Sequence, residues 1–236
     1  MQKIMWLFVA LLIAFVPAAN ANQDDDVEPF TWDGKFLEVL KKVDIPVYIP
    51  SHVASSKFSR QLGPLFVSKL EASKDRYLFQ ISRQKVPDGQ ARTLTFDVMT
   101  MSAGTLPHYR KKPFSTFEVF EIQEGTIKFN GVDVDYFANK RAFIWKDNGW
   151  EYLVWAKNTN NAFHMIKRVM ATLPKGTNPV NDATKGQITV IETNEGVSSD
   201  AGWSYDNGKT WYIMTGRTTP EQLTKIVKSM VKVDKR

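Results

Sequence analysis

From Val132 onward, the hydrophobic pattern of the chain is written twice. VDVDYF, RAFIW, DNG, EYLVW and NAFHMIKRVMATL are followed by QITVIE, AGWSY, DNG, TWYIM and PEQLTKIVKSMVKV. The short runs alternate apolar and polar residues with the two-residue period of a strand that buries one face. The closing runs change period. Leu223, Ile226, Val227 and Met230, like Ile166, Val169, Met170 and Leu173, recur at the three- and four-residue spacing of a helix covering a core. Tyr152 and Tyr212, Thr159 and Thr219, Ile166 and Ile226, and Met170 and Met230 lie sixty positions apart, and Trp145 and Trp203 precede the turn in each copy. The pattern predicts one strand-strand-strand-helix unit repeated over residues 131–173 and 186–232. The second helix carries its own start signal, with Thr219 as N-cap, Pro220 at the first helical position and Gln222 to complete a capping box. Lys228 and Lys232 fall where the helix dipole favours cations.

The first half carries less punctuation. Asp33 precedes an amphipathic segment with Phe36, Leu37, Val39, Leu40 and Val43, which predicts a short helix. In Ile45–Ser51 (IPVYIPS), Pro46 and Pro50 forbid a regular helix and predict an extended edge segment. Tyr77–Ser82 and Thr93–Met101 alternate as strands. Glu124-Gly125 between Thr116–Ile122 and Thr126–Phe129 has the spelling of a hairpin turn. A repeat this short cannot bury its own helix face, so the expected fold is a single α+β domain over residues 31–236, an antiparallel sheet with helices packed on one face.

The start of the chain changes where that domain is expected to work. Lys3, an unbroken apolar run from Ile4 to Val16, the break at Pro17 and the small-x-small spelling Ala19-Asn20-Ala21 are the parts of a secretory signal peptide, with cleavage expected after Ala21. The run is short for spanning about 30 Å of hydrocarbon. The acidic, polar residues 22–30 (NQDDDVEPF is the text from Asn22) read as a disordered lead-in. No cysteine exists, so the exported fold must hold without disulfides and without a lipidated cysteine. Lys and Arg number 31 against 25 Asp and Glu, a formal charge of +6, and the signal segment removes only Lys3 from that excess. Outside a cell such a balance favours anionic wall polymers or lipid headgroups, and export disfavours nucleic acid.

Two resemblances bear on function. Ser204–Trp211 reads SYDNGKTW, which resembles the Asp box of sialidases and related β-propellers. That resemblance implies a hairpin turn away from any catalytic centre, in which Asp206 caps backbone N–H groups and Gly208 takes the left-handed position. Residues Asp147 and Gly149 in KDNGWEY form a looser copy. A phosphate loop is rejected, because five residues separate Gly202 from Gly208-Lys209-Thr210 where four are required. More broadly, Ile45–Ser51, Gly131–Leu173 and Gly186–Val231 resemble an extracytoplasmic bacterial domain family of unknown function. It occurs beyond the membrane helix of anti-sigma-factor-like regulators and in secreted or lipid-anchored proteins. That likeness implies an envelope-associated, non-enzymatic module.

Candidate chemistry is sparse. His52, His108 and His164 share no metal-ligand spacing, and His164, between Phe163 and Met165, is expected to be partly buried. No G-x-S-x-G elbow, cysteine nucleophile or calcium loop is spelled. Asp133 and Asp135 alternate with Val132 and Val134, the pattern of a solvated strand face, although paired carboxylates could serve a glycosidase. No metal or cofactor is implied. The expected function is a secreted, non-catalytic envelope module that binds an anionic polymer, a membrane surface or a protein. The candidate ligand residues are the basic stretch His108, Tyr109, Arg110, Lys111 and Lys112. The alternative is a carbohydrate-binding or glycan-hydrolysing protein that stacks sugars on a tryptophan cluster, with Trp150 and Trp203 foremost.

Overall fold

The computed structural model describes residues 26–55, 63–85, 94–105, 123–137, 141–194 and 196–235. Among them the fold is largely β. A ten-stranded mixed sheet dominates, and there are three short helices of 7, 14 and 9 residues. The expectation of an α+β fold built on an antiparallel sheet is therefore corrected. Long strands in the first half, β4 (Leu65–Ser73), β5 (Arg76–Lys85) and β6 (Leu94–Thr105), join the same sheet as the repeats. The helices are too short to form a matching layer.

The second half follows in the order β7 (Gly125–Phe129), β8 (Val132–Phe137), β9 (Ala142–Asp147), β10 (Trp150–Trp155), α2 (Thr159–Thr172), β11 (Lys185–Thr193), β12 (Gly196–Ser204), β13 (Thr210–Gly216), α3 (Pro220–Lys228) and β14 (Met230–Lys232). In space the sheet reads β4-β5-β6-β13-β12-β11-β10-β9-β8-β7. The two copies of the unit meet at β10 and β11, which pair in parallel with Trp150 opposite Gly186. Parallel pairing is the consequence of α2, which carries the chain from the end of β10 back to the starting edge. At the other side β13 pairs with β6, so the first half extends the second without a break.

The expected hairpin at Glu124-Gly125 has its first strand, residues 116–122, outside the described residues. Gly125 is the first residue of β7, and a turn lies at Asn130 (φ 48°) and Gly131 (φ 78°), which join β7 to β8. Two successive positive φ values are what a two-residue I′ hairpin requires, and Asn-Gly supplies them at least cost. The acidic lead-in also ends earlier than expected. Asp26–Pro29 forms β1, antiparallel to β3 (His52–Ser55), and Phe30 is buried. Behind it the helix α1 (Gly34–Leu40) starts where Asp33 accepts a hydrogen bond from the Lys35 N–H at 3.0 Å. The Pro-flanked segment supplies β2 (Tyr48–Pro50), paired antiparallel with β14.

One continuous core joins these parts. Tyr77, Phe79, Met101, Phe143, Trp145, Tyr152, Trp203 and Tyr212 from the sheet pack with Ile166 and Val169 of α2 and Leu223, Ile226 and Val227 of α3. Each copy repeats one cross-strand pair on this face. Trp145 lies opposite Tyr152 with rings stacked at 4.9 Å, and Trp203 lies opposite Tyr212 with rings stacked at 5.9 Å. Trp150 completes the junction between the copies. Its ring lies over Gly186, where any Cβ would come within 2.3 Å of it.

Candidate functional site

The outward faces of α2 and α3 carry a group of exposed cations. Both helices bury their apolar stripes in the core, which leaves Asn160, His164, Lys167 and Ala171 of α2 and Lys225 and Lys228 of α3 exposed, with Lys232 following in β14. Glu221 is the only carboxylate within the two helices. It is taken up by Arg168, whose Nε and Nη2 donate to its two oxygens at 2.9 and 2.7 Å. This bidentate fork fixes α2 beside α3. Burial pushes the Glu221 carboxyl up, and the hydrogen bonds from Arg168 outweigh it and hold the group below the usual carboxylate range. The cation face is built locally by the capping box. The Thr219 hydroxyl accepts from the Gln222 N–H and the Gln222 side chain accepts from the Thr219 N–H, so that Lys225 and Lys228 fall on the turn opposite Leu223 and Ile226.

The other face of the sheet is arranged differently. Several of its charges sit in opposite-sign pairs across or along strands: Lys69 with Glu71 at 2.9 Å, Lys146 with Glu151 at 3.1 Å and Lys128 with Asp133 at 3.8 Å. Asp135 accepts from Gln123 and Thr126 at 2.8 and 2.7 Å. Asp133 and Asp135 thus stand on a solvated strand face, engaged with their neighbours. A hollow of about 290 Å³ lined by Glu71, Ser73, Arg76, Leu78 and Ser102 opens near this face. A second, of about 160 Å³, lies under the Trp145–Tyr152 pair at the end of α2.

Among the sequence-predicted ligand residues, only Trp150 and Trp203 fall within the described structure. His108, Tyr109, Arg110, Lys111 and Lys112 lie outside the described residues. Trp150 and Trp203 are both fully buried at 0 % exposure, so neither offers a ring face on which a sugar could stack. Strand alternation places a tryptophan on a face but does not say which face the helices will cover. His164 is exposed, not partly buried, because it falls on the solvent side of α2 between Asn160 and Lys167.

The turn residues occupy two hairpins of unlike chemistry. Asn148 (φ 48°) and Gly149 (φ 79°) form the first, and Asp147 accepts from the Gly176 N–H at 2.5 Å, leaning on the loop after α2. In the second, Asn207 (φ 58°) and Gly208 (φ 91°) hold the positive φ values. Asp206 accepts from the Thr210 N–H and the Ser204 hydroxyl, both at 2.8 Å, and Ser204 Oγ accepts from the Gly208 N–H at 2.7 Å. Burial raises the Asp206 carboxyl, and these hydrogen bonds more than reverse it, so the group sits below its ordinary range.

One acid is tuned the other way. Burial in β12 pushes Asp200 up to about 6, and the Gly216 N–H at 3.3 Å offsets only part of that. No base or nucleophile partner is paired with it among the described hydrogen bonds. Among the described residues no group of three or more His, Cys, Asp or Glu side chains could hold a metal ion, and no helix is long and apolar enough to cross a membrane. The lysine face was visible in the sequence only as spacing: Lys225, Lys228 and Lys232 alternate with the apolar stripe, but a face requires α2 beside α3. In comparison with known proteins, no family model matches the chain, and no curated protein or solved structure is significantly similar to it.

Proposed function

We propose that this protein is a secreted, non-catalytic module of the cell envelope that binds an anionic polymer through the outward faces of α2 and α3. The observation that carries the reading is the charge imbalance of that face. Lys167, Lys225, Lys228 and Lys232 project outward, while the one carboxylate of the two helices is bound by Arg168. Contacts of this kind are point-charge contacts from flexible stems, suited to a polymer with repeating anionic groups rather than to one shaped ligand. On the opposite sheet face, Lys69, Lys146 and Lys128 each meet a carboxylate, which leaves the helix face the more favourable one for such a surface. The apolar start of the chain, Ile4–Val16 followed by Ala19-Asn20-Ala21, supports export.

The test is co-sedimentation with whole cell walls, with walls stripped of anionic polymer and with anionic liposomes, at low and high salt. Pelleting with whole walls that is lost on stripping, and lost again at high salt, is the expected result. Pelleting that ignores salt, or that is equal on stripped walls, overturns the reading. Pelleting with liposomes alone would move the target to lipid headgroups.

A further inference from the structure

The second copy of the repeat carries a pair of stacked tyrosines that the first copy lacks. Tyr205 stands where the first copy has Asp147, counted from the paired tryptophans. Its ring stacks on that of Tyr48 in β2, with centroids 4.5 Å apart and planes within 18° of parallel. Tyr212 meets both rings edge-on, at 5.3 Å from Tyr48 and 5.4 Å from Tyr205. Tyr212 is buried, whereas Tyr48 and Tyr205 are only half-buried and open to a small reagent.

The backbone beneath Tyr48 is held on several sides. Its N–H donates to the Tyr77 hydroxyl at 3.1 Å, and that hydroxyl donates to the Tyr48 carbonyl at 2.9 Å. The Tyr212 hydroxyl donates to the Pro46 carbonyl at 3.0 Å. Lys235 donates to the carbonyl of Val43, to that of Asp44 at 3.0 Å and to that of Ile45 at 2.9 Å. Its counterpart Lys175, sixty positions earlier, donates instead to the Gly131 carbonyl at 3.3 Å. Rings held in contact in this way meet without the search that joins free reactants. A carboxylate serves both of them. Burial first, and then Asp182, push the Tyr48 phenol above its ordinary range. Burial, the Tyr48 phenol and Asp182 do the same for Tyr205, against partial relief from the Trp203 indole. A phenol kept protonated must release its proton as it is oxidised, and Asp182 is the acceptor at hand.

We propose that Tyr48 and Tyr205 form a covalent modification site, at which a one-electron oxidant joins the two stacked rings as dityrosine. The proposal goes beyond the anionic-polymer reading and does not depend on it. Each phenol gives up one electron and one proton. The two radicals then form a carbon–carbon bond between ring positions ortho to the oxygens, and the two displaced ortho hydrogens move as protons to those oxygens, which restores both phenols. The pair loses two hydrogens in all. Hydrogen peroxide, acting through a peroxidase, takes up the two electrons and two protons and leaves as two molecules of water. The bond gives a chain without cysteine what a disulfide gives elsewhere. It ties β2, near the start of the domain, to the hairpin of the second copy, and so restricts the unfolded chain over a long loop.

The test illuminates the purified protein, at high dilution, with ruthenium tris-bipyridine as the photo-generated one-electron oxidant and persulfate as the final electron acceptor. The expected product fluoresces as dityrosine, stays monomeric on a denaturing gel and is lighter than the parent by two hydrogens. Its protease digest should contain one fragment that joins Tyr48 to Tyr205, and its thermal midpoint should rise. Tyr48→Phe and Tyr205→Phe keep the stacked rings, and each should reduce the fluorescence to background and abolish the rise. Tyr136→Phe, which removes another half-buried tyrosine, should leave both unchanged. Asp182→Asn should slow the reaction. Bridges found only between molecules, a bridge of equal yield in Tyr205→Phe, or no dityrosine in the parent overturns the proposal.

Discussion

The two Asn-Gly hairpins that follow the paired tryptophans reach the same backbone bend by different means. Asn148-Gly149 and Asn207-Gly208 both hold successive positive φ values. The first is steadied from outside, by Asp147 and Asn148 reaching the Gly176 backbone. The second is steadied mainly from within, by Ser204, Asp206 and Thr210 closing on one another, with Thr184 Oγ1 accepting from the Asn207 N–H at 3.1 Å. Its cross-strand pair is also sealed, with Tyr48, Tyr205 and Tyr212 packed ring against ring. Duplicated pattern thus fixes the turn, while single-residue differences decide what holds each copy's turn in place. Asp147 against Tyr205, Lys175 against Lys235 and a helix that runs one turn further in the first copy account for the contrast.

The largest effect is expected where the copies join. Gly186→Val places a Cβ within 2.3 Å of the fully buried Trp150 ring, and neither the ring nor the strand pair can move aside. A loss of about 3 kcal/mol in denaturant unfolding is expected, with the two copies failing together in one transition. Two separate transitions would show that the copies fold independently.

Gly208→Val comes next, at about 1–3 kcal/mol, because a β-branched residue must adopt φ 91°. Its Cβ would also meet the Lys185 amine at 2.5 Å, but that side chain can swing away. Gly131→Val has φ 78° and open space around it, so it should cost less, about 1 kcal/mol. Equal costs would mean that the self-closing turn adds no constraint of its own.

A third difference between the copies is a half-buried acid: Asp200 stands at the position that Ala142 holds in the first copy, counted from the paired tryptophans. With its pKa pushed up to about 6, against about 3.9 in an unfolded chain, the folded state binds the extra proton between those values. Stability is therefore greatest below about pH 4 on this group's account and is lost as pH rises through 6. Asp200→Asn should lack that loss, so its stability relative to the parent should improve from pH 4.5 to pH 7.5, by on the order of 1–2 kcal/mol. A flat difference across that range would contradict the burial of the charge. The smallest effect belongs to the turn carboxylates. Asp206→Ala should cost about 1 kcal/mol and Asp147→Ala less, since Asp206 serves its own turn and Asp147 a neighbouring loop. Thermal melts of the pair would show the reverse order if the second turn were not self-supporting.

What the sequence made legible was local chemistry. The positive-φ turn at Asn207-Gly208 and the cap formed by Thr219, Pro220 and Gln222 depend on neighbours a few residues away, and both are present. What it left hidden was pairing. Periodicity makes β10 and β11 strands but cannot say that α2 returns the chain so that they run parallel. Asn130-Gly131 also sits between alternating runs, and its joining of β7 to β8 shows only once the two strands are paired. Trp150 and Trp203 carry the strongest aromatic signal for a sugar platform and are the most deeply buried, because the face they share is the one that α2, α3 and Gly186 cover. The candidate site was hidden for the same reason. The lysines of α3 are spaced as a stripe in the sequence, but the bidentate Arg168–Glu221 fork that joins two stripes into one face spans 53 positions.

The measurement that tests the central claim most directly is the salt dependence of binding to anionic wall polymer, for the parent protein and for Lys225→Glu combined with Lys228→Glu. These substitutions reverse two cations that suit the helix C-terminus and should cost about 1–2 kcal/mol, so thermal melts of both proteins check that binding is read on a folded molecule. The account predicts that affinity falls steeply with salt in the parent, and that the variant binds at least about tenfold more weakly at low salt with a shallower dependence. Binding that is unchanged by the two reversals, with the same salt slope, would contradict the helix face as the site.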